Sequence, residues 1–252
     1  MTLLSVERIK LFTTRSPYWC LAGILVAALL FALLLGLVDG GREAATFTSQ
    51  AGMQLGLMVF MVLAALAVTT EYRFGTIRAS FLATPRRFQV LLAKTIVIVL
   101  LGAVVALVCS FAAFFLTKAL AGSGAENPPS LSSGADWRMV LGNVALFPIA
   151  AIIAVSVGTI VRHSAGAITI LMLWPLLIEN LVTLIPTVGS KIQLWLPFQA
   201  VSTFITPPAG TEIAGQVFGT SGPTPVEGLL VFLGTAVVLW LVALTLLQRR
   251  DA

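Results

Sequence analysis

Hydrophobic residues run along this chain in long stretches without the period-two alternation of a half-buried strand. A bilayer core of about 30 Å takes about 20 apolar residues at about 1.5 Å each. Six stretches meet that requirement: Tyr18–Val38, Gly52–Thr70, Lys94–Leu116, Met139–Val161, Ala165–Ile185 and Gly228–Leu247. They are too long for barrel strands, so the pattern predicts an all-α, polytopic membrane protein with six transmembrane helices in one domain over residues 1–252. Residues 2–16, TLLSVERIKLFTTRS, read as an interfacial helix, although their apolar positions do not fall on one face. Glu7, Arg8, Lys10 and Arg15 precede the first stretch, which is longer than a signal-peptide core. It ends in Asp39-Gly40-Gly41 without a small-x-small cleavage site, so a retained first span is expected.

The polar intervals carry the information. Glu71–Lys94, EYRFGTIRASFLATPRRFQVLLAK, holds five of the fifteen Lys+Arg residues: Arg73, Arg78, Arg86, Arg87 and Lys94. Ile77, Phe81 and Leu82 fall at helical spacing, predicting a short amphipathic helix. Thr84-Pro85 reads as an N-cap followed by Pro in the first turn. A helix running from Pro85 to Leu116 would be about 48 Å long, so its first turns should project beyond the bilayer. The Gly/Ser/Pro-rich interval Lys118–Asp136 reads as a loop, and Arg162-His163-Ser164 as a minimal turn. Within 186–227, the apolar piece Leu194–Ile205 is too short to span. It reads as a re-entrant or interfacial helical hairpin, or as a plain ordered loop. Trp195 and Phe198 suit a membrane interface.

Composition agrees with the pattern. Of 252 residues, 58% are hydrophobic and 10% charged, against about 25% charged in soluble domains. The mean hydropathy is +1.03. With the N-terminus inside, the inner segments hold Arg8, Lys10, Arg15, Arg73, Arg78, Arg86, Arg87, Lys94, Arg162, Arg249 and Arg250, whereas the outer ones hold only Arg42, Lys118, Arg138 and Lys191. That bias predicts cytoplasmic termini. The net charge of +5 flanks apolar spans and forms no compact patch, so nucleic acid is not an expected partner. Cys20 and Cys109 lie in apolar runs and read as buried thiols.

Motifs for catalysis are missing from the sequence. Lys94-Thr95 follows Ala93 without the glycines of a phosphate-binding loop, and neither H-E-x-x-H nor G-x-S-x-G occurs. A single histidine builds no zinc site, so no enzyme and no resident cofactor or metal are expected. Polar groups inside the spans are the remaining candidates. Glu179 with Asn180 reads either as a cavity-lining pair or as an interhelical hydrogen-bonding site. Met53, Met58 and Met61 offer an adaptable face for apolar ligands, or simply pack. Asn143 reads as an interhelical contact, and Gly102, Gly142, Gly158 and Gly166 as close-packing positions. Glu71 ends a helix where a carboxylate is unfavourable, so a compensating cation is expected; paired with Arg73, it reads as an inner gate or ion pair.

The six spans, the N-terminal lead-in and E-Y-R-F-G-T-I-R-A-S-F-L-A-T-P-R-R between spans two and three resemble the permease subunits of ABC-2 type ABC transporters, particularly bacterial drug and antibiotic exporters. The resemblance implies an export function in the bacterial plasma membrane, surrounded by lipid. It implies a homo- or heterodimer of permease protomers moving a small hydrophobic or amphipathic compound. A separate ABC ATPase would carry ATP and Mg. The coupling segment would be 71–93, with Gly75, Ile77, Arg78, Phe81, Leu82, Arg86 and Arg87 at the ATPase. Glu71 and Arg73 would lie at the inner gate, and Met53, Met58, Met61, Glu179 and Asn180 along the substrate path. Trp195 and Phe198 would form an outer lid. An ATP-independent carrier or channel, or an antibiotic-immunity membrane protein, are the alternatives.

Overall fold

An apolar run in hydrocarbon has no water to satisfy its amides, and a helix bonds them internally. The computed structural model describes residues 3–42, 44–77, 87–122, 125, 127–185, 188–206 and 222–249, and all regular structure among them is helical. In chain order the helices are α1 (Leu3–Thr13), α2 (Ser16–Leu37), α3 (Thr46–Ser49), α4 (Ala51–Arg73), α5 (Arg87–Leu120), α6 (Gly134–Val161), α7 (Ser164–Leu173), α8 (Glu179–Leu181), α9 (Gly189–Gln193), α10 (Pro197–Ile205) and α11 (Pro225–Arg249). Six segments are long and apolar enough to cross a membrane: α2, α3 with α4, α5, α6, the stretch from α7 through residue 184, and α11.

Local chemistry sets the ends, and several differ from the pattern-based expectation. α5 continues to Leu120, past Leu116, and its 34 residues span about 51 Å. The expected start at Thr84-Pro85 lies outside the described residues. α6 begins at Gly134, before Met139, because a capping box starts it there. Ser133 Oγ accepts from Asp136 N at 3.1 Å, and Asp136 Oδ2 accepts from Ser133 N at 2.9 Å. At the next turn, Arg162 takes a left-handed conformation, φ 58°, and exposed His163 caps α7 by accepting from Gly166 N.

The fifth span is not the continuous helix Ala165–Ile185 that hydropathy suggests. After α7 it widens into a π-helical turn over Trp174–Ile178, then passes through α8 into a 3-10 turn at Val182–Leu184. Pro175 has no N–H to donate back along the helix, and a π turn absorbs that lost bond. The Trp174-Pro175 pair was the available sequence signal.

α4 and α6 form the centre of the bundle, with α2 and α5 packed against them on one side and α7 and α11 at its edges. Phe60 of α4 and Phe147 of α6 pack with their rings tilted by 35° and 5.4 Å between ring centroids. Gly102 of α5 faces that ring, where an added Cβ would sit 2.8 Å from it. Small residues permit such approaches, and in lipid this packing replaces the hydrophobic drive available in water. Outward faces carry exposed Leu30, Val104, Leu107, Val238 and Leu241, as a lipid-facing surface requires. Cys20 and Cys109 are both free thiols.

The 194–205 piece is helical only from Pro197, Leu194–Leu196 forming the bend after α9. α10 folds against α11 and α6. Its Phe198 ring meets Phe232 of α11 edge-on at 5.2 Å, and Arg138 of α6 donates to the Thr206 carbonyl at 3.1 Å. Gly228 of α11 touches the α10 backbone so closely that any Cβ would collide with the Ala200 carbonyl. Replacing Gly228 with Leu should therefore cost about 1–3 kcal/mol by overpacking. A clear fall in the midpoint of thermal unfolding in detergent is the expected result, whereas Gly234→Leu, at a position with open space, should leave it unchanged.

Candidate functional site

The most unusual chemistry lies at the bundle end where α1, the end of α4 and the start of α5 meet. On α1, Glu7 and Lys10 are one turn apart and bonded at 3.1 Å. Glu71 stands in the last turn of α4 and Lys94 in the second turn of α5. Lys94 Nζ reaches Glu7 Oε2 at 2.7 Å, Glu71 Oε1 at 3.0 Å and the Ala67 carbonyl at 3.1 Å, which uses all three of its N–H groups. Lys10 Nζ also bonds Glu71 Oε1 at 3.2 Å. Glu7 and Lys94 are each 5% exposed and Glu71 8%. Burial of single charges at this depth would be prohibitive, but two carboxylates and two ammoniums cancel.

The electrostatics follow from this arrangement. Burial pushes the Glu7 carboxyl up, but Lys94 and then Lys10 outweigh it and hold the group below the ordinary carboxylate value. Burial pushes the Lys10 ammonium down, and Glu71 and Glu7 together hold it above the ordinary lysine value.

The expected compensation of Glu71 is present, but its partners are Lys94 and Lys10. The pairing with Arg73 is corrected: that guanidinium lies 5.6 Å from the Phe74 ring centroid, and no ion pair links it to Glu71 among the described residues. At about 3.6 residues per turn, the two-residue step from Glu71 to Arg73 is about 200°, which points Arg73 away from the side that Glu71 faces. Sequence reasoning counted Glu7 and Lys94 only as flanking charges. The Glu7–Lys10 spacing and the position of a lysine at the edge of an apolar run were the signals. A cavity of about 450 Å³ opens beside the cluster, walled by α1, α4 and α5.

The segment after Glu71 is partly described. Gly75 turns the chain with φ 70°, which a side chain would strain, and Ile77 is buried. Arg87 Nη1 donates to the Leu247 carbonyl at 3.2 Å, a cation satisfying the C-terminal end of α11. Arg78, Phe81, Leu82 and Arg86 lie outside the described residues. At the neighbouring turn, Arg162 stands over the Tyr72 ring at 5.1 Å.

At the opposite end of α4 a second cavity, about 210 Å³, gathers Met53, Met58, Met61, Asn180 and Phe198 on one wall system. Met53 and Met61 are fully buried, so they also belong to the packed core. Asn143 of α6 makes an interhelical bond to Gln50 Oε1 at 3.1 Å. Asn180 is exposed, donating to the Leu176 carbonyl and accepting from Gln193. Trp195 is half exposed and stands apart from the cavity.

Glu179 is fully buried, and its carboxylate accepts from Trp174 Nε1 at 3.0 Å, Phe198 N at 3.0 Å and Gln199 N at 2.8 Å. The last two are orphan amides of the first turn of α10, so the carboxylate caps that helix. Its contacts are those of the interhelical alternative. The described residues contain no cluster of His, Cys, Asp and Glu able to hold a metal. No protein-family model matches the chain, and no curated protein sequence matches it.

Two expectations follow from the cluster. Lys94→Met leaves two buried carboxylates sharing the single Lys10 ammonium and should destabilise the protein by about 3–5 kcal/mol, while adding Glu7→Gln should recover part of the loss. Because the Glu7 pKa is depressed on folding, its contribution is present above the ordinary carboxylate pKa and lost as pH falls through the folded value. Unfolding midpoints measured in detergent from about pH 7 down to about pH 3 should show a shallower acid decline in Glu7→Gln than in the parent.

Proposed function

We propose that the chain is the membrane-spanning subunit of an ATP-driven exporter of the ABC-2 type. It lies in a bacterial plasma membrane with both termini cytoplasmic, and it moves a hydrophobic or amphipathic compound outward. It acts as a homo- or heterodimer of permease protomers, and ATP and Mg reside on a separate ATPase subunit. The observation that supports this most is the neutralised cluster of Glu7, Lys10, Glu71 and Lys94 at the root of the cationic segment between α4 and α5. A segment that only fixes orientation needs no such anchor; a segment that transmits force does.

The mechanism follows from rigidity. α4 has 23 residues, about 35 Å, with Glu71 at one end and Met53 at the other. Movement imposed on residues 75–87 reaches α1, α4 and α5 together through the shared ions, and α4 carries it to the cavity beside Met53, Met58 and Met61. α10, held by Glu179, closes that cavity on its far side as an outer lid. A carrier driven by ion binding would need an ionisable group facing its path, and the carboxylate of Glu179 is already engaged by Trp174 and α10.

Docking should depend on the apolar face of the coupling segment. In a membrane extract with the native ATPase co-expressed, Phe81→Asp should reduce ATPase co-purification about tenfold or more, as for loss of an interface anchor. The permease itself should remain in the membrane at parental level. Full recovery of an active ATPase complex with that variant would overturn the docking role.

A further inference from the structure

The cavity beside the ion cluster has features that ion pairing and force transmission do not use. At about 450 Å³ it lies in the size range of small-molecule sites. Its deeper wall is apolar, from Leu63 and Leu66 of α4 and Val97 and Ile98 of α5. Its rim carries hydroxyl oxygens placed as acceptors beside the ion cluster. Thr13, Thr14 and Thr70 each donate the hydroxyl proton to a backbone carbonyl, of Lys10, Leu11 and Leu66 respectively, so their oxygens remain as acceptors. Beside them, Glu71 Oε2 is buried and accepts no hydrogen bond from any described residue, both lysines being bonded to Oε1. That oxygen has almost no accessible surface, so the acceptors that face the cavity are the threonine oxygens. Among the described residues the ionised groups on the wall are Glu7, Glu71, Lys10 and Lys94, whose charges cancel. A cationic ligand would put a third positive charge against two carboxylates, whereas a neutral donor leaves the balance intact.

We propose that this cavity binds an amphiphile with a neutral, hydroxyl-rich head group, a polyol or a sugar. The head would donate to the threonine oxygens, and the tail would lie along α4 and α5. The site goes beyond the transport reading and holds whether or not an ATPase docks. Two sources share this chemistry: a membrane lipid with a glycerol or sugar head, and a soluble alkyl glycoside.

Native mass spectrometry of the full chain in phosphatidylcholine nanodiscs tests it, since that lipid offers no O–H or N–H donor. The probes are a monoacylglycerol, octyl glucoside below its micellar concentration, and octylammonium as a cationic donor of equal tail length. At least one neutral probe should be retained about tenfold better than octylammonium. Monoacylglycerol alone assigns the bilayer as source, and retention of the glucoside assigns a soluble one; both support the site. Thr70→Val should weaken retention about three- to tenfold, the effect of one lost hydrogen bond. Leu66→Trp, which fills the cavity without touching the ions, should abolish it. Equal or stronger retention of octylammonium, no retention of either neutral probe, or neutral-probe binding undiminished by a folded Leu66→Trp protein would overturn the proposal.

Discussion

Lys94 holds this structure's charged end together. Its ammonium stands at the edge of an apolar run, where an unpaired cation would be driven toward water, and it is kept inside by Glu7 from α1 and Glu71 from α4. Each partner is equally dependent, because each is a buried carboxylate that Lys94 and Lys10 neutralise. The arrangement makes three segments, distant in sequence, into one unit. It also explains why α1 turns Glu7 inward while Leu4 and Ile9 stay exposed. A helix that seats an ion on the bundle and leaves leucine outside is suited to a boundary where its outer side meets lipid and its inner side meets charge.

A second polar device, at the opposite end, works differently. Glu179 meets no cation among the described residues; it caps α10 through two backbone amides and takes a third hydrogen bond from the Trp174 indole. That indole belongs to the π turn which Pro175 imposes, so the break in the fifth span and the seating of α10 are a single construction. Between the two devices runs α4, packed through Phe60 and Phe147 against α6, with its small residues in contact with α2. In the proposed mechanism, stiffness along α4 would let an event at Glu71 be felt at Met53.

The two cavities divide the polar chemistry. The smaller, closed by α10, mixes Met53, Met58 and Met61 with the amides of Gln54, Asn143, Asn180 and Gln199. The larger is acceptor-rimmed and electrically neutral, next to ions that are already paired. They lie at opposite ends of one helix and differ in lining, so the proposed occupancy of one need not exclude that of the other.

Six apolar runs of sufficient length determined by themselves that the chain is a helical bundle with six helices able to cross a membrane, because backbone amides in hydrocarbon have no other single-segment solution. The need for a cation near Glu71 was also legible, since a carboxylate at a helix C-terminus opposes the helix dipole. Which cation was not legible: Arg73 is near in sequence but points elsewhere, and the choice of Lys94 and Lys10 depends on how α1 and α5 cross α4. Likewise Glu179 announced itself as a buried acid, but only the fold of α10 against α11, through the missing Cβ of Gly228, put two amides within its reach. Hydropathy averages over a window and so passed over the π turn at Trp174–Ile178. Windows record how apolar a segment is; partners for buried charges and carbonyls are set by distances across helices, and those exist only in the folded bundle.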